Sequence, residues 1–444
     1  MASPTNTYCD YATGNDYKGY SFVNGAYTSA TKLLLATGAF VGNQVNHWLY
    51  LSDNGSNTIY DGYYKIAAIS GTSTVWLSTD AGSGTNSTDV VCNMASGTVS
   101  LPWRSVQGAL DLITRDATNG NQVNIKAGTA QVNQASLTLA TYGTPAAATP
   151  LILRGYTTVA NDRGMCEINC NGVAMWAATT YDYLQLMDCQ IHNFGNNNGV
   201  VLDQHCLAFH CNIHKGASTP TSKSLLSISH YSRAIGNYIH DAGTTGIGIT
   251  SGGDGNLIYG NYFADCSTGI FVAGYGHVIY NIVYNCTVYG ISLSQDNFAI
   301  GNSISATSAA TGRGIVSTSD NNVILNNIIQ GFSGTGGIGI NTTKHLSILG
   351  YNTFYNNATN ETLGDVIADL GNDVALSVSP FTDAASEDFS LSTANAGAAI
   401  DGAYPGAFYG PASTTDHADI GAVQNGAGSG GGAVRISPAK RISL

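Results

Sequence analysis

Short apolar segments separated by polar turns recur along the middle of the chain. Between about Cys166 and Asn357, a Cys or Asn is followed by any residue and then by an apolar β-former, in phrases that begin at Cys189, Cys211, Asn237, Asn261, Asn281, Asn302, Asn326 and Asn352. The intervals are 22, 26, 24, 20, 21, 24 and 26 residues. A second phrase, Gly followed by Ile, begins at Gly246, Gly269, Gly290, Gly314 and Gly337. Each repeat is predicted to hold two or three short strands separated by Gly, Asn, Asp and Ser turns.

This period predicts a solenoid, because no helical pattern of 3.6 residues accompanies it. The drifting interval favours a parallel β-helix, in which a turn can lengthen without disturbing the stacked strands. One coil rises by roughly 4.8 Å, so equivalent residues form columns. The Asn residues of the first phrase are expected to pair as a ladder of amides: Asn237, Asn261, Asn281, Asn302, Asn326 and Asn352. Cys189 and Cys211 would extend this ladder, and Cys266 and Cys286 would form a second inward stack.

Segments outside the repeats complete a family resemblance. Residues 102–107 followed by Ala109-Leu110 are similar to a short N-terminal capping helix, and residues 124–129 to a first coil strand. With residues 379–381, 388–391 and 419–424, which are similar to a closing segment, the chain resembles the pectin-lyase-like superfamily of right-handed parallel β-helix proteins. The resemblance implies an all-β, right-handed parallel β-helix solenoid. This fold serves lyases, hydrolases, phage tailspikes and virion decorations, so it implies no single chemistry.

The two ends of the chain have patterns of their own. Residues 8–16 resemble an opening strand and turn, and alternating apolar residues between Leu33 and about Met94 predict a small antiparallel β subdomain. We expect four parts: an N-terminal β region with this subdomain (1–100), the capping helix and parallel β-helix (101–378), a C-terminal closing segment (379–424), and a Gly-rich linker with a basic docking tail (425–444).

Charged residues are scarce, and this narrows the function classes. The 444 residues include 16 Lys or Arg and 28 Asp or Glu, which is 10% charged and a net charge of −12, against roughly 25% charged in ordinary soluble domains. This composition excludes a coiled coil, and the acidic balance argues against nucleic-acid binding. No apolar run approaches the roughly 20 residues of a membrane span. The nine Cys follow no zinc pattern and are expected to be buried reduced thiols; neither a metal nor a cofactor is predicted.

Two neighbouring columns of the repeats supply the catalytic candidates. His192, His214 and His240 each follow the Ile of the first phrase, so strand alternation is expected to turn them outward. The next column contains Asn193, Lys215, Asp241, Asp265 and Asn285. Adjacent rungs would place Asp241 and Asp265 about 5 Å apart, the carboxylate spacing of retaining glycosidases, while Lys215 could serve a lyase as base. The alternative is that Asp and Asn here are turn formers and the His residues a surface ladder.

No family motif assigns these roles. The polygalacturonase and pectate lyase motifs are absent, and residues 150–350 contain only seven scattered Lys or Arg, too few to hold a polyuronate. Tyr238 and Tyr262 are expected to face outward, where they could stack on sugar rings.

The leading hypothesis is a structural protein of a virion surface, tailspike-like or capsid-decorating, assembled in the host cytoplasm and able to bind host polysaccharide. No secretory signal pattern is visible, and exposed Tyr and Ile faces favour a homotrimer. A virion protein would be bound by the tail, through Arg435, Ile436, Lys440, Arg441 and Ile442; the alternative for this segment is a disordered tail. The competing hypothesis is an extracellular polysaccharide lyase or glycoside hydrolase.

Overall fold

The structure is a computed structural model, and the chain divides into two compact units. One unit comprises Met1–Gln131 with Leu137–Glu167, and the other Val132–Ser136 with Ile168–Leu444. The residues that the structure describes are 5–9, 22–28, 33–35, 48–53, 62–71, 74–77, 87–92, 105–113, 115–132, 135–139, 142–176, 181–195, 198–216, 223–307, 310–343, 347–364, 366–392 and 394–395. The four-part division stays a prediction, and its last part, residues 425–444, lies outside the described residues.

The elements of the first part of the chain are, in order, β1 (Thr5–Cys9), β2 (Phe22–Thr28), β3 (Leu33–Leu35), β4 (Trp48–Asp53), β5 (Gly62–Ser70), β6 (Thr74–Leu77), β7 (Ser87–Cys92), α1 (Val106–Leu112), β8 (Asn121–Lys126), β9 (Gln131–Val132), β10 (Leu151–Tyr156) and β11 (Cys166–Asn169). Strands β1 and β10 pair in parallel with the two sides of β8. Strands β2 to β7 form a closed antiparallel barrel in the order β2-β3-β6-β5-β4-β7. The predicted antiparallel subdomain is confirmed, although it begins at β2 rather than at Leu33.

Helix α1 confirms the predicted capping helix. Its N-cap is Ser105, whose hydroxyl accepts a hydrogen bond from the Gly108 N–H at 2.9 Å. The buried side chains of Val106, Ala109 and Leu110 turn one face of this short helix inward, and the helix contacts β1 and β8. The predicted residues 102–104 and 10–16 lie outside the described residues.

The second unit is built from β12 (Leu184–Met187), β13 (Cys189–His192), β14 (Val200–Leu202), β15 (Leu207–Phe209), β16 (Asn212–His214), β17 (Ser224–Ile228), β18 (Arg233–Ile235), β19 (Tyr238–Ser251), β20 (Asn256–Tyr259), β21 (Tyr262–Val272), β22 (Gly276–Ile279), β23 (Ile282–Tyr284), β24 (Tyr289–Leu293), β25 (Phe298–Ile300), β26 (Ser303–Ser305), β27 (Arg313–Ser317), β28 (Val323–Leu325), β29 (Ile328–Gln330), β30 (Ile338–Thr342), β31 (Ser347–Gly350), β32 (Thr353–Tyr355), β33 (Thr359–Thr362), β34 (Val366–Asp369), β35 (Val374–Leu376), β36 (Phe381–Asp383) and β37 (Asp388–Leu391).

These strands form the predicted parallel β-helix. One sheet, called here the first sheet, stacks β12, β15, β18, β20, β22, β25, β28, β31 and β34 in parallel. The other strands up to β35 pair in parallel with the equivalent strand of the next coil, as in Ile213↔Ile239 and Ile239↔Phe263. We call the sheet that contains Ile213 and Ile239 the second sheet. Both sheets turn apolar residues inward, which explains the short phrases of the sequence.

The inward Ile column shows the register of the second phrase. Ile249, Ile270, Ile291, Ile315 and Ile340 pair from coil to coil and are fully buried. The preceding residues are Gly248, Gly269, Gly290, Gly314 and Gly339, so the predicted phrases at Gly246 and Gly337 were each wrong by two residues. Backbone proximity requires Gly here, because a Cβ on Gly248 would lie 2.6 Å from the Gly269 carbonyl oxygen.

The predicted amide ladder is confirmed except at one member. Asn237, Asn261, Asn281 and Asn302 each donate from Nδ2 to Oδ1 of the next Asn at 2.9–3.0 Å. The partner of Asn302 is Asn327, which donates in turn to Asn352 at 3.1 Å. Asn326 was therefore a wrong assignment. It occupies the corner before the ladder in a left-handed conformation, with φ of 59°, like Gly301 and Tyr351 in the adjacent coils.

The cysteine stacks are confirmed as well. Cys211 extends the ladder through its N–H, which donates to Asn237 Oδ1 at 2.9 Å. The thiol groups of Cys211 and Cys189 form a hydrogen bond with each other. The thiols of Cys266 and Cys286 form the second stack. All seven Cys between residues 166 and 286 are buried and free, as expected of reduced thiols.

The described part of the predicted closing segment is residues 379–392 with 394–395. β36 and β37 form an antiparallel hairpin, called here the C-terminal hairpin, with the 3-10 helix Ala384–Ser386 between them. Phe381, Phe389 and Leu391 of this hairpin pack on Tyr262 and Ile282 of the second sheet. The described part of the segment thus covers an outer face of the β-helix rather than adding a coil; residues 396–424 lie outside the described residues.

Candidate functional site

The predicted His column is a stack of rings on the outer face of the second sheet. The Ile before each His is fully buried, so the expected outward direction is confirmed. The ring centroids of His192 and His214 lie 5.1 Å apart, and those of His214 and His240 lie 4.8 Å apart, in nearly parallel planes. Burial and then the neighbouring His240 and His192 lower the pKa of His214 to about 4. The middle ring is therefore neutral at pH 7.

The catalytic candidates in the next column lie on consecutive coils, as the register His214↔His240↔Ala264 requires. Asp241 Oδ2 lies 2.7 Å from His240 Nδ1, while His240 Nε2 faces Asn212 Oδ1 at 2.9 Å. Asp265 accepts a hydrogen bond from Asn285 Nδ2 at 2.5 Å. Each carboxylate is thus bound to a neighbour within the stack.

The backbone of this column supports the turn-former alternative. Asn193, Asp241, Asp265 and Asn285 all take left-handed conformations, with φ of 51–63°, which Asn and Asp tolerate better than other side chains. Lys215 is only 6% exposed, and this burial lowers its pKa. Catalytic roles for Asp241, Asp265, Lys215 and His240 stay predictions.

The expected outward direction of Tyr262 is confirmed, but its side chain is not open to a sugar. The Tyr262 side chain does point outward from the second sheet, but it is 2% exposed because the C-terminal hairpin covers it. Its hydroxyl donates to Glu387 Oε2 at 2.7 Å, and its ring meets Phe389 edge to face at 6.0 Å. Tyr238 is half-buried, and its ring stacks on His240 at 4.0 Å. Sugar stacking on Tyr238 stays a prediction.

A groove that sequence reasoning missed lies on the outer face of the first sheet. Arg233, Leu257 and His277 occupy equivalent outward positions on β18, β20 and β22. Together with Tyr259 and Ile279 they line a cavity of about 450 Å³, which we call the Arg233 groove. Its remaining lining residues are Gly255 and Asn256. The sequence does contain a signal for this groove. Ala234, Ile258 and Val278 form an apolar inward column, so the residues that directly precede them share an outward column.

Asn256 is the lining residue whose side chain is bonded within the protein, to Ser251 and Gly253. Among the described residues, nothing forms a hydrogen bond or ion pair with the side chains of Arg233, Tyr259 or His277. His277 contacts only the Phe298 ring in its aromatic packing, at 4.9 Å, and burial lowers its pKa. At pH 7 the groove therefore offers a guanidinium, a neutral imidazole and a phenol hydroxyl above an apolar floor.

Exposed aromatic rings border the groove. Tyr231 and Tyr275, in the column just before the first sheet, are 55% and 50% exposed, and Phe298 is 36% exposed. Tyr231 continues a stack with Tyr183 and His205, with centroid distances of 4.8 and 5.2 Å. The ring of Tyr231 lies over Gly255, where a Cβ would come within 2.6 Å of it. Aromatic edges and faces at a groove are suited to contact with sugar rings.

Three further predictions concern the docking tail, membrane spans and metal sites. The docking residues Arg435, Ile436, Lys440, Arg441 and Ile442 lie outside the described residues. Within the described ranges, no helix is long and apolar enough to cross a membrane. In the same ranges, no three His, Cys, Asp or Glu side chains are grouped as a metal would require.

Comparisons with known proteins give likenesses of shape. No protein-family model and no curated protein matches the chain. Among solved structures, the chain is similar to pectate lyase Pel9A (TM-score 0.46, 15% identity, 75% of this chain and 94% of that one). It is similar also to XylC in complex with xylose (0.40, 11%, 83% and 71%) and to the GH136 lacto-N-biosidase from Eubacterium ramulus (0.36, 13%, 64% and 66%).

These neighbours are carbohydrate-related proteins, and no phage or capsid protein is among the three. Likenesses at this level carry no argument about activity. The strand pairing by itself shows that the chain is a parallel β-helix, the fold implied by its resemblance to the pectin-lyase-like superfamily.

Proposed function

We propose that this protein binds a polysaccharide in the Arg233 groove and acts on carbohydrate. One observation carries this proposal: among the described residues the side chains of Arg233, Tyr259 and His277 have no polar partner, whereas those of the ladders are bonded from coil to coil. Side-chain polar groups that the fold does not satisfy are available to a ligand. Sugar hydroxyls are both donors and acceptors, so they match a guanidinium, an imidazole and a phenol.

The geometry of the groove suits an extended glycan that lies along the solenoid axis. Arg233, Leu257 and His277 recur at the coil spacing of roughly 4.8 Å, which is close to the length of one sugar unit in an extended chain. Leu257 and Ile279 supply an apolar floor for the C–H faces of the sugars. Tyr231 and Phe298 supply rings at the border, where they can pack against further units.

The lining residues also distinguish between the two reactions that the sequence left open. Hydrolysis by the usual mechanism needs two carboxylates across the bond to be broken, and none of the residues that line the groove is Asp or Glu. Elimination takes place at a uronate unit, where a base removes the proton next to the carboxylate, a C=C bond forms, and an acid protonates the leaving oxygen as its C–O bond breaks. The neutral His277 and the hydroxyl of Tyr259 match these two roles, so the groove supports a lyase better than a hydrolase.

A virion role stays a prediction. Binding of host polysaccharide in this groove would serve a tailspike-like protein as well as an extracellular enzyme, and attachment would involve the tail beyond the described residues. The homotrimer and the location of the protein are likewise predictions. The C-terminal hairpin covers part of the Tyr and Ile face that suggested self-association.

The test is binding to a glycan array, with a search for unsaturated sugar ends in solution. Leu257→Glu places a charge on the groove floor, and Val323→Glu makes the same change in the same outward column three coils away. We expect Leu257→Glu to weaken glycan binding at least about tenfold, since the new carboxylate lies one coil from Arg233 and competes with the ligand for its guanidinium, and Val323→Glu to leave binding unchanged. Absence of binding by the wild type, or equal losses in the two variants, would refute the proposal.

A further inference from the structure

We propose that the Arg233 groove selects glycans that carry an isolated anionic substituent, and that this substituent binds the Arg233 guanidinium. The inference rests on the proposed function and names the class of ligand for the same groove. It follows from the charge that the groove presents and from the spacing of its side chains.

Cationic side chains are scarce in this chain. The chain has 16 basic residues against 28 acidic ones, and several described Arg side chains are engaged by the protein. Arg154 donates to Asn161 Oδ1 at 2.7 Å, Arg115 donates to Thr149 Oγ1 at 2.8 Å, and Arg313 lies 5.9 Å from the centroid of the Tyr289 ring. The guanidinium groups of Arg233 and Arg163 have no such partner among the described residues, and of these two Arg233 is the one that lines the groove.

The acidic side chain nearest in sequence to the groove belongs to Asp254. Asp254 adjoins the lining residue Gly255, but its carboxylate lies 4.0 Å from His230 Nδ1, and a Cβ on Gly274 would lie 2.8 Å from it. The carboxylate is therefore turned toward the neighbouring coil and the His230 ring. No Asp or Glu is among the residues that line the groove, so within the described residues the lining offers Arg233 no counter-ion.

The spacing of the outward side chains along the solenoid limits how many anionic groups the groove can bind. Arg233, Leu257 and His277 follow one another on three coils, as a cation, an apolar side chain and a neutral imidazole. A glycan along this column meets one positive charge in about three sugar units at the coil spacing. A polyuronate would place further carboxylates over Leu257 and His277, on a body of net charge −12, so a chain with spaced anionic groups fits better.

The chemistry of the guanidinium specifies what the substituent must offer. Two parallel N–H groups of Arg bind two oxygens of one planar or tetrahedral anion, which a Lys ammonium cannot do. A carboxylate, a sulfate ester and a phosphate ester all present such oxygens. The shared requirement is one anion on an otherwise neutral stretch of glycan, and the source of the anion is decided by experiment.

The experiment is an array that holds acidic glycans beside their neutral counterparts. The pairs are sialylated and desialylated, sulfated and unsulfated, and phosphorylated and unphosphorylated glycans. The proteins are the wild type, Arg233→Gln, Arg233→Lys, and Lys223→Gln as a control that removes an exposed cation of the same unit. Thermal unfolding of each variant confirms that the fold is kept.

We expect the wild type to bind the acidic member of at least one pair about tenfold more tightly, as a charge-assisted double hydrogen bond would give. Arg233→Gln should remove this preference while binding to the neutral member persists, Arg233→Lys should recover only part of it, and Lys223→Gln should behave as the wild type. A preference that survives Arg233→Gln, or equal binding of both members by the wild type, overturns the inference.

The result also separates this inference from the proposed function. If both members of each pair bind equally and Leu257→Glu abolishes both, the groove is the glycan site and only the anion selectivity is refuted. If no glycan binds at all, both are refuted.

Discussion

Single buried amides hold consecutive coils of the solenoid together. Asn327 is fully buried, and its Nδ2 donates to Asn352 Oδ1 at 3.1 Å and to the carbonyls of Ala299 and Leu325 at 2.9 and 3.0 Å. Its Oδ1 accepts from the N–H and Nδ2 of Asn302. One side chain thus satisfies polar groups in three coils, and its loss leaves each of them buried without a partner.

We expect Asn327→Ala to lower the free energy of unfolding by about 4 kcal/mol, because several buried donors and acceptors lose their partner at roughly 1–3 kcal/mol each. The measurement is the midpoint of urea unfolding. Asn326→Gly is the matched control, because Asn326 has a left-handed backbone that Gly adopts readily. Equal destabilisation by the two changes would contradict the ladder register.

The His stack makes stability depend on pH at the level of one ring. The pKa of His214 is about 4 in the folded protein and roughly 6.5 in an unfolded chain. Between these values the unfolded chain binds more protons, so the stability that is present above pH 6.5 is lost as the pH falls toward 4.

We therefore expect unfolding experiments at pH 7 and pH 4.5 to differ less for His214→Phe than for the wild type, by about 2 kcal/mol after discounting the partial exposure of the ring. Phe keeps an aromatic ring in the stack and removes the titration. A His214→Phe variant with an unchanged pH profile would show that another group is responsible.

The C-terminal hairpin is the element that most changes the surface predicted from the repeats. Phe389 contacts the rings of Tyr262, Tyr284 and Phe381 at centroid distances of 6.0, 5.7 and 5.2 Å. Outward Tyr and Ile side chains on a regular sheet predict an exposed face, yet here they form a small second core. Nothing in the repeat itself shows that a segment more than 90 residues later will cover it.

Phe389→Ala should loosen this hairpin, because truncation of a buried Phe costs about 3–5 kcal/mol and Phe389 meets three of the aromatic rings in the contact. Hydrogen exchange of residues 381–391 should rise, while exchange of the inward strand residues near Ile239 stays slow. Ala385→Ser, at an exposed position of the same hairpin, is the control and should change neither. Unaltered protection of the hairpin in Phe389→Ala would mean that other contacts dock it.

For the whole molecule, regular spacing decided what could be predicted. The Asn and Ile columns repeat one residue type at nearly constant intervals, and they gave the parallel β-helix directly. A second column of hydrogen bonds, at another turn of the coils, was missed because the residue type changes at each coil. In this column the Cys206 N–H donates to Ser232 Oγ, and the Ser232 N–H donates to Asn256 Oδ1. The Arg233 groove was missed for the same reason, since Arg, Leu and His share a position but no pattern.

The barrel of β2 to β7 could be predicted only as an antiparallel region. Its first and last strands, β2 and β7, pair with each other across about 60 residues of chain, and alternation within a strand does not reveal such long-range closure. Antiparallel pairing follows from local turns, whereas closure depends on packing of the whole subdomain.

The predicted docking tail can be tested by deletion. The last ten residues carry three basic groups and no acid, on an otherwise acidic chain. We expect removal of residues 426–444 to abolish attachment to a parent particle and to leave the unfolding temperature unchanged, because a Gly-rich linker separates this segment from the repeats. Comparing the occupancy of full-length and shortened protein on the particle tests this; equal occupancy would contradict a docking role.

The amide ladder has a direction, and this limits where a further coil can be inserted into such a solenoid. Every amide-to-amide bond of the ladder runs from an Nδ2 to the Oδ1 of the next coil toward the C-terminus, so these bonds all have one polarity, and the row ends at Asn352. There the acceptor is the carboxylate of Asp373, which binds the N–H and side chain of Asn352. Duplication of an internal repeat would preserve this polarity at any length. A coil added after Asp373 would bury its charge within the row, so new length has to enter before the last coil.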